Sequence, residues 1–95
     1  MSDAISWSDW LDFSQEQIAK VPESAGVYMM HAAMKILFIG NSANLKQSIA
    51  ESLKAPCTAD AKRFRYSVTE SHQEIAQKLL REYQEKHDGK LPKCM

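Results

Sequence analysis

Ninety-five residues, 44% hydrophobic and 25% charged with a formal net charge of zero at pH 7, describe one globular domain with a modest core and leave no room for a second. The longest apolar stretch, Gly26 to Gly40, is interrupted by His31 and Lys35 and falls short of the ~20 residues a bilayer span needs. Asp3 stands where a secretion signal would carry a basic residue, so a cytoplasmic protein with no membrane partner is expected.

The charge is unevenly spread. Residues 1–26 hold five acids against Lys20 alone, and residues 27–69 hold six bases against Glu51 and Asp60. Within that middle third, Lys46, Lys62, Arg63 and Arg65 are the candidate phosphate contacts, since a local excess of cations attracts phosphate even on a neutral protein. A solvated face is the plainer account of the same residues. Cys57 and Cys94 stand apart from each other and from His31, His72 and His87, without the close spacing of a thiolate–histidine metal site. No metal site is expected. A disulfide stays open on sequence alone, and free thiols are the default.

In chain order, Trp7, Trp10, Leu11 and Phe13 form an aromatic cluster, with Trp7, Trp10 and Leu11 on one face if the segment is helical. Packing on the domain is the first reading of the cluster, and a patch that stacks on bases or a partner is the second. Ser14 to Gln17 has capping-box spacing and predicts a short helix over about 15–20, ending before Pro22. Residues 27–31 and 35–39 read as strands, and the continuously apolar Ile36 to Ile39 suits a strand covered on both faces. Alternation puts Tyr28 and Met30 on one face and Val27, Met29 and His31 on the other. The link Ala32-Ala33-Met34 lacks tight-hairpin chemistry and predicts a looser turn.

After Gly40, Asn41 or Ser42 can cap a helix in which Leu45, Ile49 and Leu53 recur, ending near Lys54. A loop over 55–61 leads to a third strand over 63–68, with Phe64, Tyr66 and Val68 facing one way. Ser71 to Glu74 has the spacing of a second capping box. It opens a helix with Ile75, Ala76, Leu79, Leu80 and Tyr83 on its apolar side, stopped at Asp88-Gly89.

Gly26-Val27-Tyr28, followed by Phe38-Ile39-Gly40, resembles the paired strand motifs of the GIY-YIG nuclease superfamily. Val21-Pro22 ahead of the first motif, the run from Leu37 to Leu45, the helix around Leu79-Leu80 and the tail Pro92 to Met95 extend the resemblance over residues 21–95. Residues 1–20 form an N-terminal aromatic and helical extension packed on that domain. The resemblance implies an α/β fold of the α+β kind: a small three-stranded, mainly antiparallel sheet flanked by helices, in the order β-β-α-β-α after the extension.

What the resemblance implies for chemistry is mostly loss. Tyr28 fills the place of the tyrosine that orients or deprotonates the attacking water. Phe38 keeps the ring of the second motif's tyrosine without its hydroxyl. Asn41 stands where the family has a basic residue, Ser48 where it has an arginine, and Ala76 where it has the metal-binding glutamate. Glu74, two residues from Ala76, points to nearly the opposite side of the helix at ~100° per residue. These five residues, Tyr28, Phe38, Asn41, Ser48 and Ala76, are the relic site, expected around one shallow concavity with Ala76 near its mouth. Absence of one preorganised donor commonly costs ~10²–10³ in rate, and here several are absent together.

Three functions follow. The first is a nuclease-like domain without catalysis that binds DNA or RNA weakly, or a protein of nucleic-acid metabolism. The second is an active structure-specific endonuclease with rearranged residues, which alone would use Mg²⁺. The third is a purely structural or protein-interaction module acting through Trp7, Trp10 and Phe13.

Overall fold

Alternation and capping set the elements, and a computed structural model describing residues 7–32 and 35–94 gives their bounds. These are β1 (Leu11–Asp12), α1 (Gln15–Ile18), β2 (Gly26–Ala32), β3 (Lys35–Ser42), α2 (Leu45–Ser52), a 3-10 turn (Thr58–Asp60), β4 (Arg63–Val68) and α3 (His72–Lys86). The strands form one sheet in the order β1-β4-β2-β3 with every pair antiparallel. This is the α+β architecture expected, with four strands rather than three. The added strand, β1, is two residues long and pairs Leu11 with Phe64 and Asp12 with Arg63, too short to show alternation in the sequence.

The aromatic segment ahead of α1 is extended rather than helical. The Ser8 N–H donates to the Tyr66 carbonyl at 2.9 Å, and the Tyr66 N–H donates to Ser8 Oγ at 3.1 Å. Backbone groups left unpaired at the outer side of β4 hold it straight. The turn expected at Ala32-Ala33-Met34 lies partly outside the described residues, as does Met95.

Helix starts follow local hydrogen bonding. Ser14 caps α1, accepting from the Gln17 N–H at 3.4 Å. For α2 the cap is Asn44, whose Oδ1 accepts from the Gln47 N–H at 3.2 Å. Asn41 and Ser42 do not cap it, because β3 runs through both. Nor does the Ser71 side chain cap α3; its own N–H donates to Thr69 Oγ1 at 3.2 Å. At the far end Gly89 is left-handed with φ 82° and its N–H donates to the Gln84 carbonyl at 2.7 Å, the expected glycine stop.

The two faces of the sheet are closed differently. Tyr28, Met30 and Phe64 pack against Ile18 of α1, Val21 just after it, and Leu45 and Ile49 of α2. On the opposite face α3 lies across β3 and β2, where Val27, Ile39 and Ala76 are buried. The β4 end of that second face is covered by Trp7 and Trp10 instead.

Cys57 and Cys94 are joined in a disulfide with their Cα atoms 5.7 Å apart, which corrects the expectation of free thiols. The chain's return after Gly89 brings the two together, a long-range closeness that their spacing does not encode. The returning tail buries Pro92, and the Cys94 N–H donates to the Leu37 carbonyl on the outer side of β3 at 2.7 Å. Leu37 is the extra residue of a bulge between the pairs Met30 with Phe38 and His31 with Ile36. No helix among the described residues is long and apolar enough to cross a membrane.

Candidate functional site

The motif glycines are packing requirements. A Cβ on Gly26 would lie 2.2 Å from the Ser67 carbonyl oxygen and 2.7 Å from Leu45 Cδ1. One on Gly40 would lie 2.5 Å from the Phe38 ring and 2.9 Å from the Tyr28 phenol. Tyr28 and Phe38 stack at 5.7 Å between centroids with Gly40 between them. Bare backbone at both places lets α2 and the Tyr28 ring settle onto the sheet.

Tyr28 is only 6% exposed. Burial pushes its pKa up, the nearby Glu51 carboxylate pushes it further the same way, and hydrogen bonding with the Ser52 hydroxyl acts in the opposite sense. The hydroxyls around it are already committed. Ser48 Oγ donates to Ser42 Oγ at 2.5 Å, Ser42 Oγ to the Asn44 carbonyl at 2.9 Å, and Ser52 Oγ to the Ser48 carbonyl at 3.1 Å. Ser48, at the expected arginine position, thus ties α2 to the end of β3.

The relic residues do not surround one concavity. Tyr28 pairs with Gly40 and Val27 with Asn41, so alternation turns Tyr28 and Asn41 to opposite faces. Tyr28, Phe38 and Ser48 lie on the α2 side. Asn41 and Ala76 lie on the α3 side, where the His72 Nδ1–H donates to Asn41 Oδ1 at 2.8 Å. Ala76 is buried against the sheet at 2% exposure, and Glu74 is exposed. The expectation failed because it ignored the pleat between Gly40 and Asn41. His72, Ser52 and Glu51 were not among the expected site residues; the one helical turn between Ser48 and Ser52 is the signal that could have found one of them.

These residues do not fit a resident divalent ion. Ala76 offers no donor, the Asn41 oxygen is engaged by His72, and the described residues hold no group of three or more His, Cys, Asp or Glu placed to share a cation. Glu51 is the carboxylate that acts on Tyr28, and it comes from α2.

The four basic candidates do not form one patch. Arg63 pairs with Asp12. Arg65 lies between the indoles of Trp7 and Trp10, its guanidinium carbon 4.5 and 4.6 Å from their centroids. Lys62 is exposed beside them. Lys46 lies elsewhere, in an open cleft of about 660 Å³ between α1 and α2 that also contains Lys54 and the apolar Ile18, Ala19, Ala50 and Leu53.

A family model described as a domain of unknown function, DUF7508, matches residues 6–86. The chain belongs to that family. No curated protein matches the sequence. Among solved structures, this DUF7508 chain is similar to the GIY-YIG N-terminal endonuclease domain of UvrC from Thermotoga maritima bound to magnesium. The TM-score is 0.62 at 21% identity, covering 85% of this chain and 93% of that one. A tyrosine-to-phenylalanine mutant of the same domain, bound to its catalytic divalent cation, matches at TM-score 0.62 and 20% identity over 85% of this chain and 92% of that one. The DUF7508 chain therefore has a GIY-YIG-like fold.

Proposed function

We propose that this chain is a GIY-YIG-like domain that does not hydrolyse phosphodiesters and serves as a binding module for nucleic acid. The observation that carries the first half is the burial of Tyr28 beneath α2. A phenol closed off from solvent, with its pKa raised, neither orients a water nor takes its proton at neutral pH. Asn41, Ser48 and Ala76 supply neither cation nor carboxylate around it. Support for the second half comes from the fold and from the cations Lys62 and Arg65 at and just ahead of β4.

One observation favours the enzyme alternative, the Glu51 carboxylate on the Tyr28 side. The test is nicking of supercoiled plasmid and branched DNA with Mg²⁺ or Mn²⁺, using Tyr28→Phe and Glu51→Gln as controls. No cleavage above background is expected. Metal-dependent cleavage abolished by either substitution would establish an enzyme instead. A protein partner is favoured by the apolar α1–α2 cleft, and blocking it with Ala50→Arg should leave oligonucleotide binding intact.

Cytoplasmic placement belongs to the same proposal. The Cys57–Cys94 disulfide is the observation against it, because a mesophile's cytosol keeps such pairs reduced. Thiol trapping in intact cells decides between them.

A further inference from the structure

We infer that the Trp7–Arg65–Trp10 stack, with His31 at its edge, is a contact site for an unstacked base and its phosphate in single-stranded nucleic acid. The inference rests on the nucleic-acid reading above and adds where the ligand binds and in which form. Both indoles lie over the Arg65 guanidinium, their centroids 4.5 and 4.6 Å from its central carbon, which leaves its polar contacts to the N–H edge. Along that edge the protein supplies little. Nη2 lies 3.7 Å from the sulfur of Met29, a weak acceptor, and Nε is buried without a partner. Arg65 has no carboxylate among its described contacts, since Asp12 is taken by Arg63. A partly desolvated guanidinium without a counter-anion favours phosphate strongly, and its fork matches two phosphate oxygens.

The ring component comes from Trp10. It is 36% exposed, held edge-on against His31 at 4.1 Å and fixed by the arginine on one face. His31 Nδ1 is a second buried nitrogen without a partner, so two unanswered polar atoms flank one exposed indole. A fastening for the N-terminal segment would require the stack but neither unanswered nitrogen. An immobilised indole beside a cation accepts a base of any identity, and the exposed Lys62 lies just ahead of β4. In a duplex the base faces are hidden. Single strands are therefore the form that fits.

Both tryptophans of the chain are in this stack, so intrinsic tryptophan emission reports on this site alone. Oligothymidylate should quench that emission, whereas a duplex of equal length and inorganic polyphosphate should change it little. By anisotropy of a labelled oligothymidylate, Trp10→Ala and Arg65→Gln should each weaken binding by about tenfold, the loss expected for one stacked base. Trp10→Phe, which keeps a ring should Trp10→Ala fail to fold, should retain most of the affinity. Lys46→Glu is the distant control. Binding by anisotropy with unchanged tryptophan emission, or with full affinity in Arg65→Gln or in a folded Trp10→Ala, would overturn the site while leaving a binding module. Quenching by polyphosphate as strong as by oligothymidylate would overturn base recognition. No binding of any oligonucleotide would remove the nucleic-acid reading itself.

Discussion

On the α2 side of the sheet, the Tyr28 phenol is partnered by Ser52, and the hydroxyls of Ser42, Ser48 and Ser52 each have a protein acceptor. On the other side, at β4, Arg65 and His31 each keep a buried nitrogen without a partner beside a partly exposed indole. The first region carries the recognisable motif and its polar groups are partnered; the second carries no motif and two of its nitrogens are not. The contrast teaches that a surviving motif can record what the backbone needs in order to pack. Unanswered polar groups are the better guide to where a ligand goes.

Several substitutions can break this contrast, beginning with the largest effect. Gly26→Ala drives a methyl into the Ser67 carbonyl and Leu45. It should reach or pass the upper end of the ~1–3 kcal/mol typical of overpacking, measured by urea unfolding. Little change there would mean that the glycine is not retained for packing.

Tyr28→Phe should cost ~0.5–1.5 kcal/mol, the net worth of one hydrogen bond. The wild-type phenol carries a pH signature as well. Its pKa is raised in the folded state, so the unfolded chain loses that proton first. The associated stability is present below the ordinary tyrosine pKa of ~10 and is lost as pH rises above it. The stability advantage of wild type over Tyr28→Phe, measured by urea unfolding, should therefore be full at neutral pH and shrink as pH rises past ~10.

At the open site, Arg65→Met keeps the stem between the indoles. The lost cation–π contacts are offset by removal of the unpartnered Nε, leaving a net change below ~1 kcal/mol. A loss well beyond that would show that the stack exists chiefly to hold the fold.

The smallest effect concerns His31, whose pKa is lowered by burial and by the neighbouring Arg63 and Arg65. The unfolded chain takes up that proton first as pH falls. The corresponding stability is present above the ordinary histidine pKa of ~6.5 and declines as pH drops below it. His31→Gln should flatten that part of the stability profile, read as Tm between pH 7 and pH 5.

Much of the architecture was readable because it rests on local regularities. Alternation gave β2 and β4, the continuous apolar run Ile36 to Ile39 gave β3, the recurrence of Leu45 and Ile49 gave α2, and Gly89 gave the end of α3. What failed was long-range. A two-residue β1 has no period to detect, and its pairing with Phe64 and Arg63 is set by tertiary contact. The disulfide depends on where the tail returns. Among the site residues, identity was legible and placement was not: the glycine–asparagine step at 40–41 sends Tyr28 and Asn41 to opposite faces. The Arg65 stack was invisible because its indoles are 55 or more positions away in the chain.

The tail that follows Gly89 does more than anchor a cysteine. A sheet in the order β1-β4-β2-β3 has two open margins, each a template onto which another chain can add a strand. One margin is only two residues long, and the other is met at Leu37 by the Cys94 amide, fastened by the link to Cys57. Opening that fastening or trimming residues 91–94 would uncover the apolar rim from Ile36 to Ile39. The single bond at Leu37 and the covalent link behind it thus decide how much of that margin another strand could reach.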